Sequence, residues 1–177
     1  MTSAVVQFFI VLTTALLFIA INGLDAWLTS ELHFIPGAHW ISLSAGICVL
    51  ATLLLGPIGV IGMLVAYLLR NFIRLELIDM PHAVLEAVAQ SIGPFLVYFV
   101  ADRAFGLQAS LANLTSKRLL LLIVACSAVC PPLHSLSMRV PVNSWDTLNH
   151  CLLMFAGNLA GALILTYMLK AISAALP

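Results

Sequence analysis

The sequence predicts an all-α integral membrane protein, a bundle of six transmembrane helices with a tight Gly-Pro hairpin between the second and third spans. Three observations carry this reading. Of the 177 residues, 63% are hydrophobic and only 8% charged, where a soluble domain carries about 25% charge. The mean hydropathy is +1.14. The apolar residues gather into six runs, at 4–21, 41–55, 57–73, 83–101, 119–133 and 148–169, most of them near the ~20 residues that cross a bilayer. Polar residues collect in the connectors, and a backbone in hydrocarbon must satisfy its own hydrogen bonds, so each run is expected to be helical. No linker or low-complexity segment interrupts the runs, which makes residues 1–177 a single transmembrane domain.

The first run has Gln7 as its one amide and no Lys or Arg before it. With no Ala-x-Ala cleavage site after it, it reads as a retained span rather than a signal peptide. The stretch from Trp40 to Arg74 is too long for one crossing and suits two short ones. Gly56-Pro57 divides it, because Pro57 has no N–H for the preceding turn and Gly56 tolerates a reversal. Pro94 follows Gly93 inside the fourth run and is expected to kink it. Pro131-Pro132 is expected to break the fifth helix, which separates His134 from the four-residue spacing of Cys126 and Cys130. The cysteines are read as packing residues.

With six crossings both termini share a side. That side holds Arg103, Lys117, Arg118 and Lys170, against Arg70, Arg74 and Arg139 on the other, so the positive-inside rule places both termini in the cytoplasm. The same threading sends His33, His39, His82, His134 and His150 to the outer face, with Asp25, Glu31, Glu76, Asp79, Glu86 and Asp146 and all three tryptophans. One reading is an interfacial belt of amphipathic rings and water-facing carboxylates. The other is a periplasmic site that senses or binds protons, a divalent metal or a cationic ligand. No His-x-x-x-His spacing selects a metal.

Polar residues inside the spans are costly unless partnered. Glu86 and Gln90 lie four apart and share a helix face, at about the depth of Arg70. Arg70 paired with Glu86 across neighbouring helices is the simplest way to hold both. Alternatively, Arg70, Asn71 and Arg74 form an anion-recognising edge. In the last run Gly157 and Gly161, with Ala156 and Ala160 in matching register, make a small-residue face that lets another helix approach, and Asn158 can bond across it. No phosphate-binding loop or nucleophile with a matching base occurs, so neither enzyme activity nor a cofactor is expected. The absence of a basic cluster argues against nucleic acid.

Several stretches, read in order, resemble the membrane-associated sensor domain of the first MASE type, a bacterial module found in front of histidine kinases and cyclic-dinucleotide enzymes. They are Trp40-Ile41-Ser42-Leu43-Ser44-Ala45-Gly46 running into Leu54-Leu55-Gly56, then Leu68-Leu69-Arg70-Asn71, then Ala89-Gln90-Ser91-Ile92-Gly93 through Phe99 to Arg103, and Phe155-Ala156-Gly157-Asn158-Leu159-Ala160-Gly161. Where that family tends to carry Gly-Asp in the last span, this chain has Gly157-Asn158. The resemblance implies a sensory or regulatory module of the bacterial inner membrane. Since the chain ends at Pro177 with no output domain, it implies action through a separate membrane protein partner or a homo-oligomer. Size, span count and the Gly56-Pro57 and Arg70-Asn71 pieces are also similar to substrate-binding subunits of energy-coupling-factor transporters. That likeness implies a small-molecule ligand such as a vitamin or a metal. A structural subunit of a larger membrane complex is the third expectation.

Overall fold

A computed structural model describes residues 3–28, 41–73, 80–106, 115–137 and 145–175. These residues form six α-helices and no strand: α1 (Ala4–Leu28), α2 (Leu43–Leu55), α3 (Pro57–Ile73), α4 (Met80–Phe105), α5 (Ser116–Ser137) and α6 (Trp145–Ala175). Four stretches within them are long and apolar enough to cross a membrane, namely Ala4–Leu28, Met80–Ala104, Ser116–Ser137 and Thr147–Ile172. The helices α2 and α3 are shorter, at 13 and 17 residues.

Most helices overrun the apolar runs that announce them. Hydropathy marks only the stretch that matches lipid, whereas helical hydrogen bonding continues into the polar flanks. The largest correction concerns α5, which runs unbroken through Pro131 and Pro132 to Ser137. Each proline costs one backbone hydrogen bond, but Pro131 is fully buried against neighbouring helices, and such packing lets prolines persist in membrane helices. His134 therefore does follow Cys126 and Cys130 on one face of one helix. The helix α4 likewise continues through Pro94.

The short helix α2 is the centre of the bundle and touches every other helix. One side of it, Ile47, Cys48 and Ala51, joins a core with Ala15, Phe18, Met63, Ala66, Tyr67 and Ala87. The opposite side, Val49 and Leu53, joins a second core with Val97, Ala101, Leu122, Ile123, Cys126 and Ala162. A helix buried on two sides needs no polar face, and this explains the uniformly apolar sequence. Side chains such as Phe8, Leu16, Leu96 and Val100 point outward, while Thr14, Thr52, Ser91 and Ser127 are buried. Where the surrounding medium is as apolar as leucine, close packing and hydrogen bonds hold helices together rather than hydrophobic burial. The hydroxyls of Thr52, Ser91, Ser127 and Thr166 each bond a carbonyl one turn back in their own helix.

Glycines fix how closely α2 meets its neighbours. Gly56, the single residue between α2 and α3, has φ 57° and ψ −136°, a conformation open only to glycine, and its N–H donates to Thr52 O at 3.0 Å. Gly161 of α6 lies against the backbone of Ser42 and Leu43, so closely that a Cβ would overlap the Ser42 carbonyl. About one turn further along α2, Gly46 faces Ala162 and Leu165. The Ser42 N–H also donates to Gly157 O at 3.0 Å. The Gly157 and Gly161 face is thus occupied within the chain by α2. Ala156 is exposed and Ala160 half-buried, so neither belongs to this tight contact.

Gly161→Ala is expected to destabilise the bundle by about 1–3 kcal/mol through overpacking. Gly23→Ala, where a Cβ meets nothing within 4 Å, is expected to be neutral or stabilising by up to ~1 kcal/mol. Equal loss for both variants in detergent unfolding titrations contradicts the close α2–α6 contact.

Candidate functional site

One end of the bundle is joined by polar side chains. Here α1, α3 and α5 finish and α2, α4 and α6 begin. Asp25, three residues before the end of α1, is buried, and its carboxylate accepts from the N–H of Leu43 at 3.0 Å and of Ser44 at 2.8 Å. The first N–H groups of a helix have no partner within it and carry the positive end of its dipole, so a carboxylate is the best cap available to α2. Ser42 Oγ caps the same turn by accepting from Ala45 N at 3.4 Å. Sequence reasoning placed Asp25 among water-facing carboxylates. The available signal was its position four residues beyond Ile21, one further turn of an already helical segment, with Ser42 preceding the next apolar run.

Beside this cap, the last turn of α3 meets the first turns of α4. Arg70 Nη2 donates to Glu86 Oε1 at 2.9 Å, so the ion pair expected across these helices is formed. Asn71 closes a triangle. Its Oδ1 accepts from Arg70 Nε and Nη2, both at 3.2 Å, and its Nδ2 donates to Glu86 Oε2 at 3.1 Å and to Ala83 O at 2.9 Å. Both carboxylate oxygens of Glu86 are therefore engaged. Asn71 is 1% exposed, whereas the Arg70 side chain retains 21% exposure against 4% for Glu86. The guanidinium also lies 5.1 Å from the centre of the Tyr67 ring, which packs on Phe18 of α1 at 4.7 Å. Breaking a buried pair by removing one partner costs about 3–5 kcal/mol, and the partial exposure of Arg70 puts this pair below that range.

One turn beyond Glu86, the Gln90 amide lies 2.8 Å from His134 Nδ1 of α5. An amide NH2 cannot accept, so Nδ1 is the acceptor and the neutral ring carries its proton on Nε2. The same Nδ1 is 3.8 Å from Glu86 Oε1, an ion pair only when the ring is charged. On its other side His134 stacks on His150 of α6, with centroids 5.9 Å apart and planes at 19°. Ser135 Oγ and Cys151 Sγ, at 3.2 Å, tie the next positions of the same two helices. The structure thus brings Arg70, Asn71, Glu86, Gln90, His134 and His150 into one connected group.

Asn158 is half-buried in α6 and bonds no side chain among the described residues. His82 sits in the first turn of α4, one turn before Glu86. His33, His39 and Arg74 lie outside the described residues. Among the described residues no group of three or more His, Cys, Asp or Glu is placed to hold a metal ion. Chemically the group offers charge pairing and a histidine that can take up a proton. No family model, curated protein or solved structure matches the chain.

Asp25→Ala leaves two N–H groups of α2 without acceptors and is expected to lower stability by about 1–3 kcal/mol, with Asp25→Asn recovering part through its one remaining oxygen. Chemical denaturation in bicelles measures both, and equal losses contradict the carboxylate cap.

Proposed function

We propose that this chain is a non-catalytic sensory or regulatory module of the bacterial inner membrane, crossing it six times with both termini in the cytoplasm and acting through a partner protein. The single observation that carries the reading is the charged triangle of Arg70, Asn71 and Glu86, continued by Gln90 into His134 and His150. Ionisable groups within membrane helices are expensive, about 2.5–3.5 kcal/mol each on insertion scales, and by default they mark function. The network spans four helices at one end, so a change in any member is felt by the others.

The threading draws support from the same geometry. The Gly56 turn and the mutual packing of α2 and α3 suit a hairpin whose two short arms cross as a pair. Arg103, Lys117, Arg118 and Lys170 fall at helix ends opposite the Arg70 network, as the positive-inside rule requires of a cytoplasmic face. The bacterial setting follows from the resemblance to first-type MASE domains. The lipid bilayer is the medium that the outward apolar side chains fit.

The test is gentle extraction from native membranes, with cysteines introduced at positions 117 and 145 and labelled before lysis. The proposal expects label at 145 only and a stoichiometric protein partner whose recovery falls in Glu86→Gln. Label at both positions or at 117 alone refutes the threading. A bound small molecule with no protein partner replaces the regulatory reading with that of a solute-binding transporter subunit.

A further inference from the structure

The polar network contains a built-in conflict over one proton. With His134 neutral, two helix pairs stand side by side. Arg70 and Asn71 hold Glu86 to join α3 and α4, and the imidazole stack joins α5 and α6. Gln90 Nε2 donates to His134 Nδ1 at 2.8 Å across the two pairs. A proton on Nδ1 makes that contact donor against donor, so it cannot survive in its present form. The acceptor already placed nearest is Glu86 Oε1, 3.8 Å away.

We propose that His134 is a proton-binding site whose occupancy exchanges the Gln90 contact for a direct ion pair with Glu86, drawing the α5–α6 pair onto the α3–α4 pair. The proton comes from water at this end of the bundle, since His134 lies in the last turn of α5 and its side chain keeps 14% exposure. Glu86 can take a further donor without releasing Arg70, because a carboxylate offers about four lone-pair sites and the described bonds fill two of them, one from Arg70 Nη2 and one from Asn71 Nδ2. Charge-assisted bonds of this kind shorten to about 2.7–2.9 Å, which closes the present gap.

The groups that face His134 define the balance. From α3 comes Arg70, a cation that opposes a second positive charge nearby. From α4 come Glu86, which favours it, the neutral Gln90 and, one turn away, His82. From α6 comes His150, stacked on the ring and itself able to take a proton. From α2 the titratable group on this side is Cys48, whose neighbours on α5 are Cys126 and Cys130 rather than His134. Glu86 is the only anion among these described groups, so a proton on His134 is drawn toward it.

This deepens the regulatory reading of the same network by naming a stimulus, and it rests on that reading only for its biological use. The experiment uses the full chain in lipid bilayers, labelled with 15N-histidine, 15N-glutamine and 13C-glutamate, in solid-state NMR from pH 8 to pH 4. His150→Asn and Gln90→Leu samples assign the signals. The expected result is an unprotonated His134 Nδ1 at pH 8, then proton uptake with a simultaneous change in the Gln90 amide and a shortened distance from His134 Nδ1 to the Glu86 carboxylate carbon. An unchanged distance after protonation overturns the proposal, and so does a ring that stays neutral down to pH 4. Because the titration needs no partner, a missing partner leaves it standing, and its failure leaves the partner question untouched.

Discussion

A charge taken out of water must find its opposite, and in a bundle this apolar that requirement fixes the end where α1, α3 and α5 finish. Glu86 cannot be held there alone. It sits where Arg70 reaches it at 2.9 Å and where Asn71 fills its second oxygen. Asn71 in turn bonds the α4 backbone at Ala83, which sets how deeply the end of α3 lies against the start of α4. The register of these helices follows from satisfying three side chains at once, because a one-turn slip leaves a buried carboxylate with no donor.

The remaining helices are arranged by the same demand at lower charge. The start of α2 brings bare N–H groups into the interior, and Asp25 of α1 and Ser42 answer them. The neighbouring α6 comes so close that only glycine fits at 161, and there the backbone of Ser42 bonds that of Gly157. Held in this way, α2 divides the interior into two apolar cores and needs only 13 residues. Polar bonds fix one end and small residues set the spacing, while the large apolar side chains largely face outward. This division of labour is the one expected where lipid replaces water as the solvent.

The helical class and the locations of all six helices were legible in the sequence, since composition and apolar runs report directly on a membrane environment. The Arg70 and Glu86 pair was legible for a similar reason: few charges interrupt the runs, so the candidates for pairing are few. Asp25 was not, because the apolar run ends at Ile21 and a carboxylate beyond it reads as solvent-facing. Its burial depends on where α2 starts, a tertiary fact. The continuity of α5 was hidden by Pro131-Pro132, for the rule that proline breaks helices is learned in water, and buried packing overrides it here. The glycines of α6 announced a close helix contact without saying whose. That α2 fills it depends on packing that no local pattern encodes.

A double-mutant cycle on Arg70 and Glu86 tests the central claim, that these two side chains hold the α3–α4 end together as a unit. Unfolding free energies in bicelles for Arg70→Ala, Glu86→Gln and the combined variant are predicted to show a coupling of about 1–3 kcal/mol, with the second substitution restoring part of what the first loses. Losses that simply add, within ~0.5 kcal/mol, contradict it.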